Sequence, residues 1–113
     1  MTAPGVLALL VVIQGIWYAI TGLWPLLSYR TFAQVTGDKH DRWLVRTVAV
    51  LALAASVAVS RAGGDPLIPL AFAAAFACGD ALALRAGYPR WYLVDLVVEL
   101  GFAATAGMCA LLG

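Results

Sequence analysis

Apolar residues run almost unbroken through four stretches of this chain, and polar residues gather between them. A hydrocarbon layer about 30 Å thick needs about 20 apolar residues in helical form. Residues 6–27 carry no charge at all and predict a first span. Residues 43–60 predict a second, shorter one, in which Arg46 and Arg61 must both snorkel toward water to leave an apolar middle. A third span, residues 67–84, is interrupted by Asp80, and a fourth, residues 91–112, by Asp95 and Glu99. The pattern therefore predicts an all-α fold: one four-span transmembrane domain, an integral membrane four-helix bundle with short loops.

The connections agree with that count. RAGGDP at 61–66 and AGYPR at 86–90 are breaker clusters, each short enough to make the helices it joins antiparallel neighbours. The first connection is longer. Pro25 can open a helix at its first turn, and Leu26, Leu27, Tyr29, Phe32 and Ala33 then form an apolar side suited to the membrane interface, with Gly37 as its end. Asp38 is placed to cap the second span, with Asp41 near that helix's positive end.

Composition strengthens the membrane reading. Of 113 residues, 64% are hydrophobic and 12% charged, about half the charged share usual in soluble domains. A body this small cannot bury so much apolar surface within itself. Seven Lys or Arg against six Asp or Glu leave a net charge near zero, which points to neither nucleic acid nor an acidic partner. The distribution says more. If the spans alternate, one side carries Arg30, Lys39, Arg42, Arg46, Arg85 and Arg90 and the other only Arg61. The positive-inside rule puts the richer side in the cytoplasm and both termini outside, in a bacterial inner membrane. The first span lacks a basic region before it and is long for a signal sequence, so it is expected to be retained.

Little conventional chemistry is present. Cys78 and Cys109 fall at depths differing by roughly 15 Å, too far for a disulfide, and are expected to be free, packed thiols. His40 lies in a charged loop with no second His or Cys at ligand spacing. No phosphate loop, nucleophile elbow or zinc-protease motif occurs. No catalytic residue, metal site or cofactor is assigned.

The acids inside the spans remain. A charge near a helix centre costs about 2.5–3.5 kcal/mol to insert, while each Leu, Val or Phe returns about 0.3–0.6, so the fourth span is close to balance. Asp80, Asp95 and Glu99 must then face protein or water. Asp95 and Glu99, four apart, share a stripe. Asp80 and Asp95 lie near enough to the basic rim to pair with Arg46, Arg85 or Arg90, whereas Glu99 is one turn deeper. Gln14, Tyr18 and Thr21 form a polar face on the first span, with Tyr18 near the depth of Glu99. A pocket of Gln14, Trp17, Tyr18, Asp80, Asp95 and Glu99 would suit a proton or an organic cation; equally, it could be a hydrogen-bond network that sets helix register. Small-residue seams at Gly15, Ala19 and Gly22, at Ala73, Ala77 and Ala81, and at Gly101, Ala104 and Gly107 can pack the bundle or a second copy.

The stretches QGIWYAITGLWPLL (14–27), FAQVTGDKHDRWLVRTV (32–48) and YLVDLVVEL (92–100) resemble the pattern of a family of short bacterial inner-membrane proteins with four helices. More loosely, size and plan are similar to DoxX-like proteins and to small multidrug resistance transporters. The latter carry an essential glutamate in their first helix, where this chain has Gln14. The resemblance implies a fold and a membrane but no activity. The leading reading is a noncatalytic module that self-associates, joins a larger membrane complex or binds a lipid-like ligand; the alternative is a proton- or cation-coupled small transporter acting as a homo-oligomer through Glu99. A membrane enzyme comes third, since paired acids could do acid and base work but no nucleophile, metal set or cofactor motif accompanies them.

Overall fold

The computed structural model describes residues 2–112. Among them are five helices and no strand: α1 (Ala3–Leu27), α2 (Tyr29–Thr36), α3 (Arg42–Ser60), α4 (Leu67–Arg85) and α5 (Trp91–Leu112). The four long helices form an all-α bundle, and each is long and apolar enough to cross a membrane. α2 is the short helix expected after the first span.

Local chemistry sets the boundaries. Thr2 Oγ1 accepts the Gly5 N–H at 3.2 Å, and Pro4 sits in the first turn, where a missing N–H costs nothing. α1 therefore starts three residues earlier than its apolar run suggests. Pro25 does not open α2 as expected. It lies inside the last turn of α1, lacks the N–H that would bond the Thr21 carbonyl, and the helix ends two residues later. Ser28 makes the break: its N–H donates to Trp24 O, and its hydroxyl accepts from Thr31 N at 3.4 Å to start α2. Gly37, at φ 89°, stops α2 in a conformation that favours glycine. Asp38 does not cap α3 either. Its carboxylate accepts the Tyr29 hydroxyl at 2.7 Å, and Asp41 takes the cap position without a side-chain bond.

Each long helix buries one stripe. Leu7, Leu10, Gln14, Tyr18, Gly22 and Pro25 recur at helical spacing on α1, and Glu99, Phe102, Ala106 and Cys109 do so on α5. On α3 the stripe is Ala49, Ala52, Ala55 and Val59, and on α4 it is Pro69, Ala73, Ala77 and Asp80. The small residues of α3 let α1 approach closely. A Cβ added at Gly22 would lie 2.9 Å from the Ala49 carbonyl, and one at Gly15 would lie 2.8 Å from Ser60 Oγ. Ser56 Oγ also donates to Gly15 O at 2.6 Å across this contact. The Gly15–Gly22 seam thus packs the bundle, whereas added Cβ atoms at Gly101 and Gly107 would meet nothing within 4 Å.

The packing is uneven. α1 lies closely against α3 and α4 against α5, with α1 and α5 joining the two pairs, while α3 and α4 barely touch despite their short connection. The expectation of close neighbours across residues 61–66 is corrected here: α3 is held by α1, so its other side leaves a cleft facing α4. Both cysteines are free, but Cys78 is exposed on α4, not packed, and Cys109 alone is buried.

Candidate functional site

α1, α4 and α5 bring their buried polar residues to one level. One carboxylate oxygen from each of Asp80, Asp95 and Glu99 lies within 4.8 Å of the others. Asp80 is 5% exposed and Glu99 1%, while Asp95 is half-buried. Eight residues into α5, Glu99 is about 12 Å from its Trp91 end. On the α4 stripe of Pro69, Ala73, Ala77 and Asp80 the acid lies five residues, about 8 Å, from the Arg85 end, and its carboxylate reaches the other two from there.

Hydrogen bonds from α1 fix two of the three acids. Tyr18 donates its hydroxyl to Glu99 Oε1 at 2.7 Å and accepts from Gln14 Nε2 at 2.9 Å. Gln14 Nε2 also donates to Pro69 O at 2.9 Å, tying α4 into the chain. Trp17 Nε1 donates to Asp95 Oδ1 at 2.7 Å, and its ring stacks on Trp91 with centroids 6.0 Å apart. Tyr18 is wedged between Phe76 and Phe102, which fixes its direction. Asp80 Oδ2 and Gln14 Oε1 are buried and have no hydrogen-bond partner among the described residues.

All six residues expected to line a polar pocket are therefore assembled, as a Gln14–Tyr18–Glu99 chain, a Trp17–Asp95 pair and Asp80 between helices. The expected ion pairs are not made. Arg46, Arg85 and Arg90 are exposed, and among the described residues no basic nitrogen comes within 4.0 Å of these acids. The reason is geometric. Arg46 falls off the buried stripe of α3, Arg85 lies past Asp80 in the last turn of α4, and Arg90 precedes α5 altogether. No metal ligands were expected, yet three carboxylate oxygens at this separation suit a hard cation that prefers oxygen donors.

A cavity of about 470 Å³ leads to the acids from the arginine-bearing end. Asp80 and Asp95 form part of its wall, Leu44, Val48 and Phe76 line its apolar side, and Lys39 stands with them. The cleft between α3 and α4 is what gives it volume. At the other end of the bundle a second cavity, lined by Leu7, Ser60 and Cys109 among others, is separated from Gln14 by the apolar layer of Leu7, Leu10, Phe102 and Ala106.

Lys39 is a residue the sequence pattern does not single out. Its Nζ donates to Thr36 O, Thr36 Oγ1 and Gly37 O, closing the end of α2. The same nitrogen lies about 5 Å from the ring centroids of Phe32, Tyr88 and Tyr92. Burial among the rings holds the Lys39 ammonium down to about 8, against the pull of the Asp38 charge. Asp38 itself is held below the usual carboxylate range, first by the Tyr29 hydroxyl. A lysine close to a helix C-terminus can bond the last carbonyls, and Lys39 just past Gly37 was the available signal. The three rings come from α2, the 86–90 turn and α5, and no local pattern joins them.

Comparison of the chain with family models, with curated proteins and with solved structures gave no match in any of the three.

Proposed function

We propose that this is a multi-pass protein of a bacterial inner membrane, with both termini outside and the arginine-rich end in the cytoplasm, that carries cations in exchange for protons. Asp80, Asp95 and Glu99 form its exchange site. One observation carries the reading: three carboxylates lie within 4.8 Å of one another, without a basic partner among the described residues, at the end of a cavity. At an effective dielectric of 20, two ionised groups that close repel by about 3–4 kcal/mol. A cluster of three must be neutralised by protons or by a cation, and each can replace the other. Ionisable groups in a spanning helix are costly to keep, which favours a functional use.

The arrangement also suits movement across the layer. Access is open at the cytoplasmic end and closed by the Leu7, Leu10 and Phe102 layer at the other, as one state of an alternating carrier requires. Trp17 and Tyr18 position two acids by neutral donors that leave their charge unpaired. The noncatalytic reading, with the acids as internal ion pairs or as a register-setting hydrogen-bond network, keeps the Gln14–Tyr18–Glu99 network but lacks the pairs with Arg46, Arg85 and Arg90. The outward-facing seam of Gly101, Ala104 and Gly107 supports a homo-oligomer in the bilayer.

Proteoliposomes test the proposal. With tetraphenylphosphonium as the probe and an imposed proton gradient, wild-type protein is expected to drive uptake, and Glu99→Gln and Asp80→Asn are expected to reduce it at least tenfold while eluting as folded protein. Equal flux through wild type and both variants would refute it.

A further inference from the structure

Lys39 shares a cavity with two of the acids but does not pair with them. Its three donors are instead used at Thr36 O (2.6 Å), Thr36 Oγ1 (2.7 Å) and Gly37 O (2.7 Å). Around the same nitrogen, ring centroids of Phe32, Tyr88 and Tyr92 stand at 4.9, 5.0 and 5.1 Å. Capping α2 needs the carbonyls and not the rings. Three acceptors match the three N–H bonds of a primary ammonium, and three aromatic faces supply the negative potential that cages use to hold cations. The chain has gathered the acceptors and aromatic faces of an ammonium site from three separate segments around its own side chain, although burial there costs the charge some of what those contacts return.

The position of that site gives it a use. Tyr92 lies three residues before Asp95 on α5, so the cage and the acids stand about one helical turn apart along the same helix. Apolar side chains of α3 and α4, Leu44, Val48 and Phe76, flank the space they share. The cavity is within the size range of sites for small organic ligands. A ligand suited to all of it has a cationic head with N–H donors and an apolar tail.

We propose that the cage of Phe32, Tyr88, Tyr92 and the Thr36 and Gly37 carbonyls is an entry site for the primary ammonium head of an amphiphilic amine, with Lys39 as the tethered occupant that such a head displaces. The tail lies against α3 in the cleft toward α4. This deepens the cation reading by naming one class of cation that the entry favours, and it rests on that reading for where the head goes next; tetraphenylphosphonium, without N–H donors, tests the acids and not the cage. The cage itself uses none of the three carboxylates.

Head-group selectivity tests it on the intact protein in dodecyl maltoside, read through intrinsic tryptophan fluorescence, to which Trp91 in the cavity wall contributes. Dodecylammonium is expected to bind saturably, and dodecyltrimethylammonium and dodecanol at least tenfold more weakly, because neither offers an ammonium with N–H donors. Lys39→Ala removes the occupant and is expected to tighten dodecylammonium at least tenfold. Tyr92→Leu should weaken it, and Tyr92→Phe, which keeps the ring, should not. Equal binding of the three probes to wild type overturns the proposal whether or not the variants fold, and so does an unchanged affinity in folded Lys39→Ala. Asp80→Asn separates the two readings: selective binding that survives there leaves the cage standing even if proton-linked uptake fails, and uptake without head-group selectivity removes the cage alone.

Discussion

Glu99 and Lys39 anchor the acid cluster and the aromatic cage, and they differ in how far the sequence reveals them. Glu99 could be placed from spacing alone. Four residues separate it from Asp95, helical rise puts it level with Tyr18, and the hydroxyl of Tyr18 meets it at 2.7 Å. Lys39 could not be placed, because its partners Phe32, Tyr88 and Tyr92 are far apart in the chain and meet only after α2 folds over the 86–90 turn. The arginines show the opposite error. Proximity in depth suggested pairing with Asp80 and Asp95, but depth says nothing about which side of a helix a residue occupies. Lys39 also makes a pH prediction. Its ammonium is held down to about 8, below the ordinary lysine value, mainly by burial. Between about pH 8 and the ordinary value the unfolded chain binds a proton that the folded chain does not, so folded stability rises with pH across that window. Thermal unfolding in detergent should show wild type gaining on Lys39→Met from pH 8 to 10, with Asp38, Tyr88 and Tyr92 unchanged in both. A difference that stays flat or shrinks would contradict the burial assigned to Lys39.

At the scale of elements, the apolar runs marked the four long helices to within a few residues, since a helix that must hide its backbone from lipid follows hydropathy closely. Their ends were less legible. Thr2, Ser28 and Gly37 decide the boundaries of α1 and α2 by single hydrogen bonds and one positive φ, and hydropathy carries none of that. The seams were visible as spacing, but their direction was not. Gly22 packs on the Ala49 carbonyl, while Gly101 looks outward. The two glycines should therefore respond oppositely to a methyl group. Gly22→Ala forces α1 from α3 and is expected to cost about 1–3 kcal/mol. Gly101→Ala meets nothing and is expected to gain up to about 1 kcal/mol from helix propensity. Unfolding temperatures of the two variants in one detergent check this; a shift of the same sign in both would mean the α1–α3 contact is misplaced.

For the whole molecule, the number of helices and their alternation were readable, and the uneven packing was not. Which helices touch depends on residue size at facing stripes. Alanines on α3 and glycines on α1 draw that pair together, and the side of α3 facing α4 is left open. That opening is the cavity, so the site's accessibility follows from a feature no hydropathy pattern contains. If the three clustered acids hold protons that a cation can replace, as proposed, cation binding must release them. Purified protein in lightly buffered detergent at pH 7, with a pH indicator dye, is titrated with tetraphenylphosphonium. Release of about one proton for each cation bound is expected, lost in Asp80→Asn and Glu99→Gln. Saturable binding with no proton release, or release that both variants retain, would contradict it.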